Sequence, residues 1–68
     1  MKNALQLGQN IRRRRKNLGL TQRDVALCCG CGLRVIGDIE KGKATCQIDK
    51  ILAVLEAIGL TIHLVPRD

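Results

Sequence analysis

Glycine divides this sequence into short segments, and that division limits what the chain can fold into. Gly19, Gly30, Gly42 and Gly59 each follow a stretch whose apolar residues recur with helical spacing. Glycine readily takes the left-handed backbone conformation in which helices end. The sequence therefore predicts a mainly α fold whose helices cover Ala4–Asn17, Gln22–Cys29, Leu33–Lys41 and Ile48–Ile58.

The last apolar segment has a different period. Leu60–Val65 alternates with period two, which is typical of a strand, and Pro66 ends it. A single strand leaves its backbone donors and acceptors unpaired, so we expect it to pair across a symmetric homodimer. The predicted dimer interface consists of Leu60, Ile62, Leu64 and Val65.

Length and composition restrict the domain organisation. The 68 residues make one domain, with a helical part over residues 4–58 and the strand over residues 60–65. A domain of this size is marginally stable alone and benefits from a partner. Aromatic residues make up 0% of the chain, which argues against a single-strand binder that stacks bases on aromatic rings.

The charge is unevenly distributed. Residues 1–43 contain ten basic and three acidic residues, a net +7, whereas residues 44–68 contain two basic and three acidic residues, a net −1. The basic half predicts a polyanionic partner, most commonly nucleic acid, and the alternative is a solvated face that aids solubility. The sequence shows no apolar run long enough for a membrane span and no secretory signal, so we expect a cytoplasmic protein.

The segment from Thr21 to Gly42 carries the functional signal. Thr21 and Asp24 have the spacing of a capping box at the start of a helix. Two short helices follow, separated by a glycine-containing turn, with Ala26 where they cross and Gly30 where a positive φ is required. This is the helix-turn-helix arrangement, in which the second helix enters the major groove of DNA.

The amino-acid sequence of this segment resembles that of a known family. Leu18-Gly-Leu-Thr-Gln-Arg-Asp-Val-Ala26, Gly30 and Val35-Ile-Gly-Asp-Ile-Glu-Lys-Gly-Lys43 are similar to the phage-repressor and Cro type of helix-turn-helix, the Xre family. The tail, Leu-Glu-Ala-Ile-Gly-Leu-Thr-Ile-His-Leu-Val-Pro, resembles HipB-like antitoxins. The resemblance implies a compact repressor-like domain of four to five helices whose C-terminal strand pairs across a dimer.

The resemblance also implies roles for individual residues. Gln22 corresponds to the phosphate-anchoring glutamine, and Arg15 and Glu40 correspond to a structural salt bridge between the first and third helices. That pair explains an arginine on the inward face of the first helix. The residues expected to contact DNA are Thr21, Gln22, Arg23, Gly32, Leu33, Arg34, Gly37, Asp38, Lys41 and Lys43.

The chemistry of these side chains suits base recognition. Arg34 can donate two hydrogen bonds to guanine, Leu33 can contact a thymine methyl group, and Asp38 can accept from cytosine, orient Arg34 or remain a solvated charge. Two residues depart from the family pattern. Gly32 replaces the usual Ser or Thr cap, and Gly37 offers no side chain to a base, which lowers the expected sequence discrimination.

The four cysteines do not have the spacing of a zinc site or of a disulfide scaffold. By resemblance, Cys29 and Cys31 replace small apolar core residues. The alternative is a redox or soft-metal switch that uses Cys28, Cys31 and Cys46. The only histidine, His63, has no catalytic partner motif, so we expect neither enzymatic activity nor a cofactor nor a metal site.

Three functions are compatible with the sequence. The first is a repressor that binds an inverted-repeat operator in double-stranded DNA and serves as the antitoxin of a HipA-like kinase toxin. The second is a phage or mobile-element repressor without a toxin, and the third is a protein-binding adaptor on the same scaffold. The charge asymmetry favours the first two.

Overall fold

The structure is a computed structural model that describes residues 3–67. Four helices follow one another in this part of the chain: α1 over Ala4–Asn17, α2 over Gln22–Cys29, α3 over Leu33–Glu40 and α4 over Ile48–Ala57. The prediction of a mainly α fold is confirmed. The predicted third and fourth helices were each one residue too long, because Lys41 and Ile58 are the C-caps. None of the described helices is long and apolar enough to cross a membrane.

The helix ends follow the local sequence. The amide of Asp24 donates to Thr21 Oγ1 at 3.0 Å, and the amide of Thr21 donates to Asp24 Oδ2 at 2.8 Å, so the predicted capping box is confirmed. Gly30 ends α2 with a φ of 69°, as the turn requires. The N-cap of α3 is Gly32, which provides no side-chain hydrogen bond to the helix.

All four helices contribute to one hydrophobic core. The helical periodicity predicted part of this core, but it missed the fully buried Val54, and it placed Leu18, Ile48 and Leu52, which are exposed, on inward faces. The buried apolar residues are Ile11, Val25, Ala26, Ile36, Ile39, Val54, Leu55 and Ile58. The core fixes α3 on one side only, so the opposite side of this helix stays at the surface.

The first helix packs very closely against the C-terminal end of α3. Gly8 is buried, and a β-carbon at this position would collide with the backbone carbonyl groups of Ile39 and Glu40. A β-carbon at Gly42, just after α3, would likewise collide with the backbone of Leu5. Two positions without side chains therefore allow α1 to approach α3 and to carry Arg15 to Glu40.

The predicted strand over Leu60–Val65 is not present in the described chain, where residues 60–67 form neither helix nor strand. Leu60 is half-buried and its amide donates to the carbonyl of Leu55 at 2.8 Å, so the tail begins as a continuation of the α4 cap. A strand requires a second strand for its hydrogen bonds, and residues 3–67 of one chain supply none. Pairing across a dimer therefore stays a prediction.

Candidate nucleic-acid interface

The second and third helices are joined tightly at the turn between them. The carbonyl of Ala26 accepts from the amides of both Gly30 and Cys31, the latter at 3.1 Å, which closes the end of α2. Ile36 and Ile39 then bury one face of α3. The helix that sequence analysis assigned to base recognition is thus held rigidly against α2.

The opposite face of α3 is open to solvent. Arg34 and Lys41 are exposed, and Leu33 is 53% exposed at the start of the helix. Arg34 has no hydrogen bond or ion pair with any residue that the structure describes. A long cationic side chain without an internal partner is available to an external acceptor.

The predicted DNA-contacting residues differ in exposure. The half-buried ones are Gln22, Gly37 and Asp38, and the exposed ones are Thr21, Arg23, Gly32, Leu33, Arg34, Lys41 and Lys43. The structure brings Gln22 and Gly37 together, since a β-carbon at Gly37 would lie 3.9 Å from Gln22 Oε1. The start of α2 is therefore adjacent to the middle of α3.

Behind this surface lies a buried ion pair between α1 and α3. Arg15 Nε donates to Glu40 Oε2 at 2.6 Å and Arg15 Nη2 donates to Glu40 Oε1 at 3.0 Å, and each residue is 7% exposed. The remaining guanidinium nitrogen of Arg15, Nη1, donates to the carbonyl of Leu20 at 2.7 Å. The hydrogen bond to Glu40 raises the pKa of Arg15 despite burial of the guanidinium. The structure thus contains the pair that the resemblance implied.

Gln22 joins the same network. Its Nε2 donates to Glu40 Oε1 at 3.2 Å, so the amide expected to anchor a phosphate is oriented by a carboxylate of α3. An amide nitrogen carries two N–H groups, which leaves one for another acceptor. The sequence pattern gave no signal of this contact, because it depends on how α2 and α3 are packed.

Asp38 has an internal partner that sequence analysis missed. Lys43 Nζ lies 3.6 Å from Asp38 Oδ2, and the Lys43 amide donates to the Asp38 carbonyl at 3.0 Å. The Lys43 side chain is 53% exposed. Exposed pairs of this kind contribute about 0–1 kcal/mol, so they readily exchange for other partners.

Comparison with known proteins agrees with this geometry. The family model for the helix-turn-helix domain matches residues 6–67, which is nearly the whole chain. The chain belongs to the helix-turn-helix domain family. It is also similar to a protein of Sinorhizobium fredii named uncharacterized HTH-type transcriptional regulator y4mF, with 41% identity over 64 residues that cover 94% of this chain and 84% of the relative. These matches support a DNA-binding regulator and do not reach the finer Xre or HipB-like assignment.

Residues 12–16 of α1 are four arginines and a lysine, and their side chains differ in exposure. Arg12, Arg13 and Lys16 are exposed, as expected for residues that add to a positive field. Arg14 is half-buried and its Nε donates to the carbonyl of Ile58 at 2.9 Å. A cation at the C-terminal end of a helix is electrostatically favourable. The sequence did not predict this cap, because Arg14 and Ile58 are brought together only by the tertiary fold.

The cysteines of the helix-turn-helix lie on both sides of its turn. Cys29 and Cys31 are half-buried against the core, whereas Cys28 is exposed. Within the described residues, no three His, Cys, Asp or Glu side chains are grouped so that they could hold a metal ion, so the hypothesis of a site from Cys28, Cys31 and Cys46 gains no support. His63 is exposed in the tail.

Proposed function

We propose that this protein regulates transcription by binding double-stranded DNA, with α3 in the major groove. The observation that carries the proposal is the exposed, internally unpartnered Arg34 on a helix whose other face is buried by Ile36 and Ile39. In this geometry the Arg34 guanidinium donates to O6 and N7 of a guanine, and Leu33 contacts a neighbouring thymine methyl group.

The surrounding residues position the helix on the sugar–phosphate backbone. Thr21, Gln22 and Arg23 lie at the N-terminus of α2, where free amides and the helix dipole favour a phosphate. Gly32 is the N-cap of α3 and therefore lies at the N-terminus of that helix. Lys41 and Lys43 provide charge at the other end of α3, and such contacts add affinity without sequence preference.

The direct test is binding to the DNA upstream of the gene, measured by fluorescence anisotropy against a scrambled duplex. The wild type should prefer the upstream duplex, and Arg34→Ala should lose that preference. Arg34→Lys is the matched control, because it keeps the charge but lacks the planar fork. It should retain more affinity than Arg34→Ala while also losing the preference. Absence of binding to either duplex would favour the protein-binding adaptor.

The protein acts as a symmetric dimer in this proposal, with the tail as interface. In the single chain Ile62 is 43%, Leu64 94% and Val65 79% exposed. The tail therefore exposes apolar surface to water, which is unfavourable and is typical of an interaction site. Next to Leu60 and Ile62, an open groove of about 360 Å³ lies against α1 and α4. Two-fold pairing of residues 60–65 would cover this surface and would place two α3 helices on an inverted repeat.

The similarity of the tail to HipB-like antitoxins supports a narrower role. The protein would repress its own operon and bind a HipA-like kinase toxin. A kinase-like reading frame beside the gene, whose product co-purifies with this chain, is the expected result. A solitary gene would instead indicate the phage or mobile-element repressor.

A further inference from the structure

Gly37 leaves an open notch in the middle of the exposed face of α3. Leu33 and Arg34, one turn earlier, and Lys41, one turn later, are all exposed, so this position lies on the side of the helix that is proposed to face DNA. Apart from the adjoining backbone of α3, the only described atom within 4 Å of a β-carbon built at Gly37 would be Gln22 Oε1, at 3.9 Å. The Gln22 amide therefore forms one wall of the notch.

The orientation of the Gln22 amide follows from its partner. Glu40 forms a buried ion pair with Arg15, so its carboxylate is ionised and can only accept hydrogen bonds. The group that lies 3.2 Å from Glu40 Oε1 must therefore be the amide nitrogen of Gln22, and the amide oxygen is turned away from Glu40. Gln22 Oε1 accepts no hydrogen bond from any residue that the structure describes. The wall of the notch thus carries an acceptor without an internal donor.

We propose that Gln22 Oε1 reads a base at the point where Gly37 has no side chain, and that it selects a base with an exocyclic amino group. This inference rests on the proposed function, with α3 in the major groove. Adenine N6 and cytosine N4 are the only hydrogen-bond donors that base edges present in this groove. When DNA displaces water from the notch, Oε1 either accepts from one of these amino groups or is left without a donor, which is unfavourable.

This role is separate from the phosphate contact expected of the same side chain. The second N–H of Gln22 Nε2 donates to a phosphate and adds affinity on every sequence, whereas Oε1 adds affinity only where an amino group faces it. The absence of a side chain at Gly37 keeps Oε1 accessible, because a long side chain at this position would cover it. The base contact that Gly37 cannot make itself is therefore supplied from α2.

Removal of single amino groups from the DNA tests the proposal. In the upstream duplex, each adenine is replaced in turn by purine, and each cytosine by its analogue without the exocyclic amino group. Affinities for the wild type and Gln22→Ala are measured by fluorescence anisotropy. At one position, or at its symmetry mate, the wild type should bind about fivefold more weakly, the loss expected for one neutral hydrogen bond, and Gln22→Ala should lose nothing further. The base at that position distinguishes adenine from cytosine.

Two further variants separate base reading from general weakening. Lys43→Ala should bind every duplex more weakly but keep the effect of the missing amino group, because Lys43 is expected to contact phosphate. Gly37→Leu should abolish that effect with Gln22 intact, since the leucine side chain fills the notch. Circular dichroism and urea titration check that each variant is folded. Persistence of the effect in folded Gly37→Leu would overturn the proposal, because the reading group would then lie elsewhere.

The inference and the proposed function fail in different ways. If the protein prefers the upstream duplex but Gln22→Ala shows the same loss as the wild type at every position, the role of Oε1 is overturned and the function stands. If the protein binds no duplex at all, the proposed function is overturned and this inference falls with it.

Discussion

Gly8 lies so close to the carbonyl oxygen of Ile39 that a β-carbon at this position would collide with it. A β-carbon at Gly8 would be 2.8 Å from the carbonyl oxygen of Glu40 and closer still to that of Ile39. Both obstacles are backbone atoms at the end of α3, which cannot rotate away as a flexible side chain does. The absence of a side chain at Gly8 therefore sets the distance between α1 and α3.

Gly8→Ala should destabilise the protein, although alanine is the better helix former. Relief of the collision requires α1 to move from α3, and overpacking of this kind typically costs about 1–3 kcal/mol. The free energy of unfolding from urea titrations measures the effect.

Gly37→Ala provides the matched control. Gly37 is also in the middle of a helix, but a β-carbon there would meet only Gln22 Oε1 at 3.9 Å. This variant should be more stable than the wild type by about 0.5–1 kcal/mol, because alanine restricts the unfolded chain. Equal effects of the two substitutions would contradict the close approach at Gly8.

Arg15→Ala should destabilise the protein far more than Arg13→Ala. Removal of Arg15 leaves the Glu40 carboxylate buried without its cation, and losing one partner of a buried pair costs about 3–5 kcal/mol. For a domain of this size, that approaches the whole stability. Arg13 is exposed, so its loss should change little. Melting temperatures measured side by side decide the question, and equal values would exclude a stabilising role for the pair.

Local sequence signals predicted most of the fold. The capping box at Thr21 and the left-handed Gly30 act within a few residues, so the helix boundaries are encoded locally. The Arg15–Glu40 pair spans 25 residues and was reached only through the family resemblance. The mainly α architecture followed from periodicity alone.

Contacts that depend on packing were not predictable in this way. Gly8 looks like an unfavourable residue inside a helix until α3 is placed against it. Arg14 looks like part of a solvated basic run until Ile58 is seen to accept its hydrogen bond. Gln22 and Asp38 were both expected to face DNA, and each has an internal partner whose position only the folded chain supplies.

Asp24 should give the protein a measurable acid dependence. The hydrogen bond from the Thr21 amide lowers the pKa of its carboxyl group in the folded state. A group with a depressed folded pKa contributes stability above the unfolded pKa of about 3.9 and loses that contribution as the pH falls through the folded value. The melting temperature of Asp24→Asn should therefore lie below that of the wild type at pH 7.

The difference between the two proteins should shrink as the pH is lowered below about 4. Thr21→Ser keeps both the hydroxyl and the amide of the capping box, so it should retain the acid dependence of the wild type. A difference between Asp24→Asn and the wild type that is constant with pH would show that the cap does not depend on the charge of Asp24.

Lys43→Ala and Gln22→Ala should weaken DNA binding on every sequence but respond differently to salt. Loss of the Lys43 charge should reduce the slope of log affinity against log salt by about 1, because one counterion fewer is released. Gln22 is neutral, so its loss should leave the slope unchanged. Affinities at four salt concentrations separate the two, and a changed slope for Gln22→Ala would contradict its assignment as an uncharged phosphate contact.

Leu64→Glu should convert the proposed dimer to a monomer without harming the fold. Leu64 is 94% exposed in the single chain, so the substitution removes no internal contact, but a carboxylate in a paired apolar strand must be buried without a partner. Leu27→Glu is the matched control, because Leu27 is 75% exposed on α2 and lies outside the proposed interface. In sedimentation at micromolar concentration, the wild type and Leu27→Glu should be dimers and Leu64→Glu a monomer. Truncation after Gly59 should also yield a monomer, although it removes the half-buried Leu60 as well. A wild-type monomer, or a Leu64→Glu dimer, would show that the tail is not the interface.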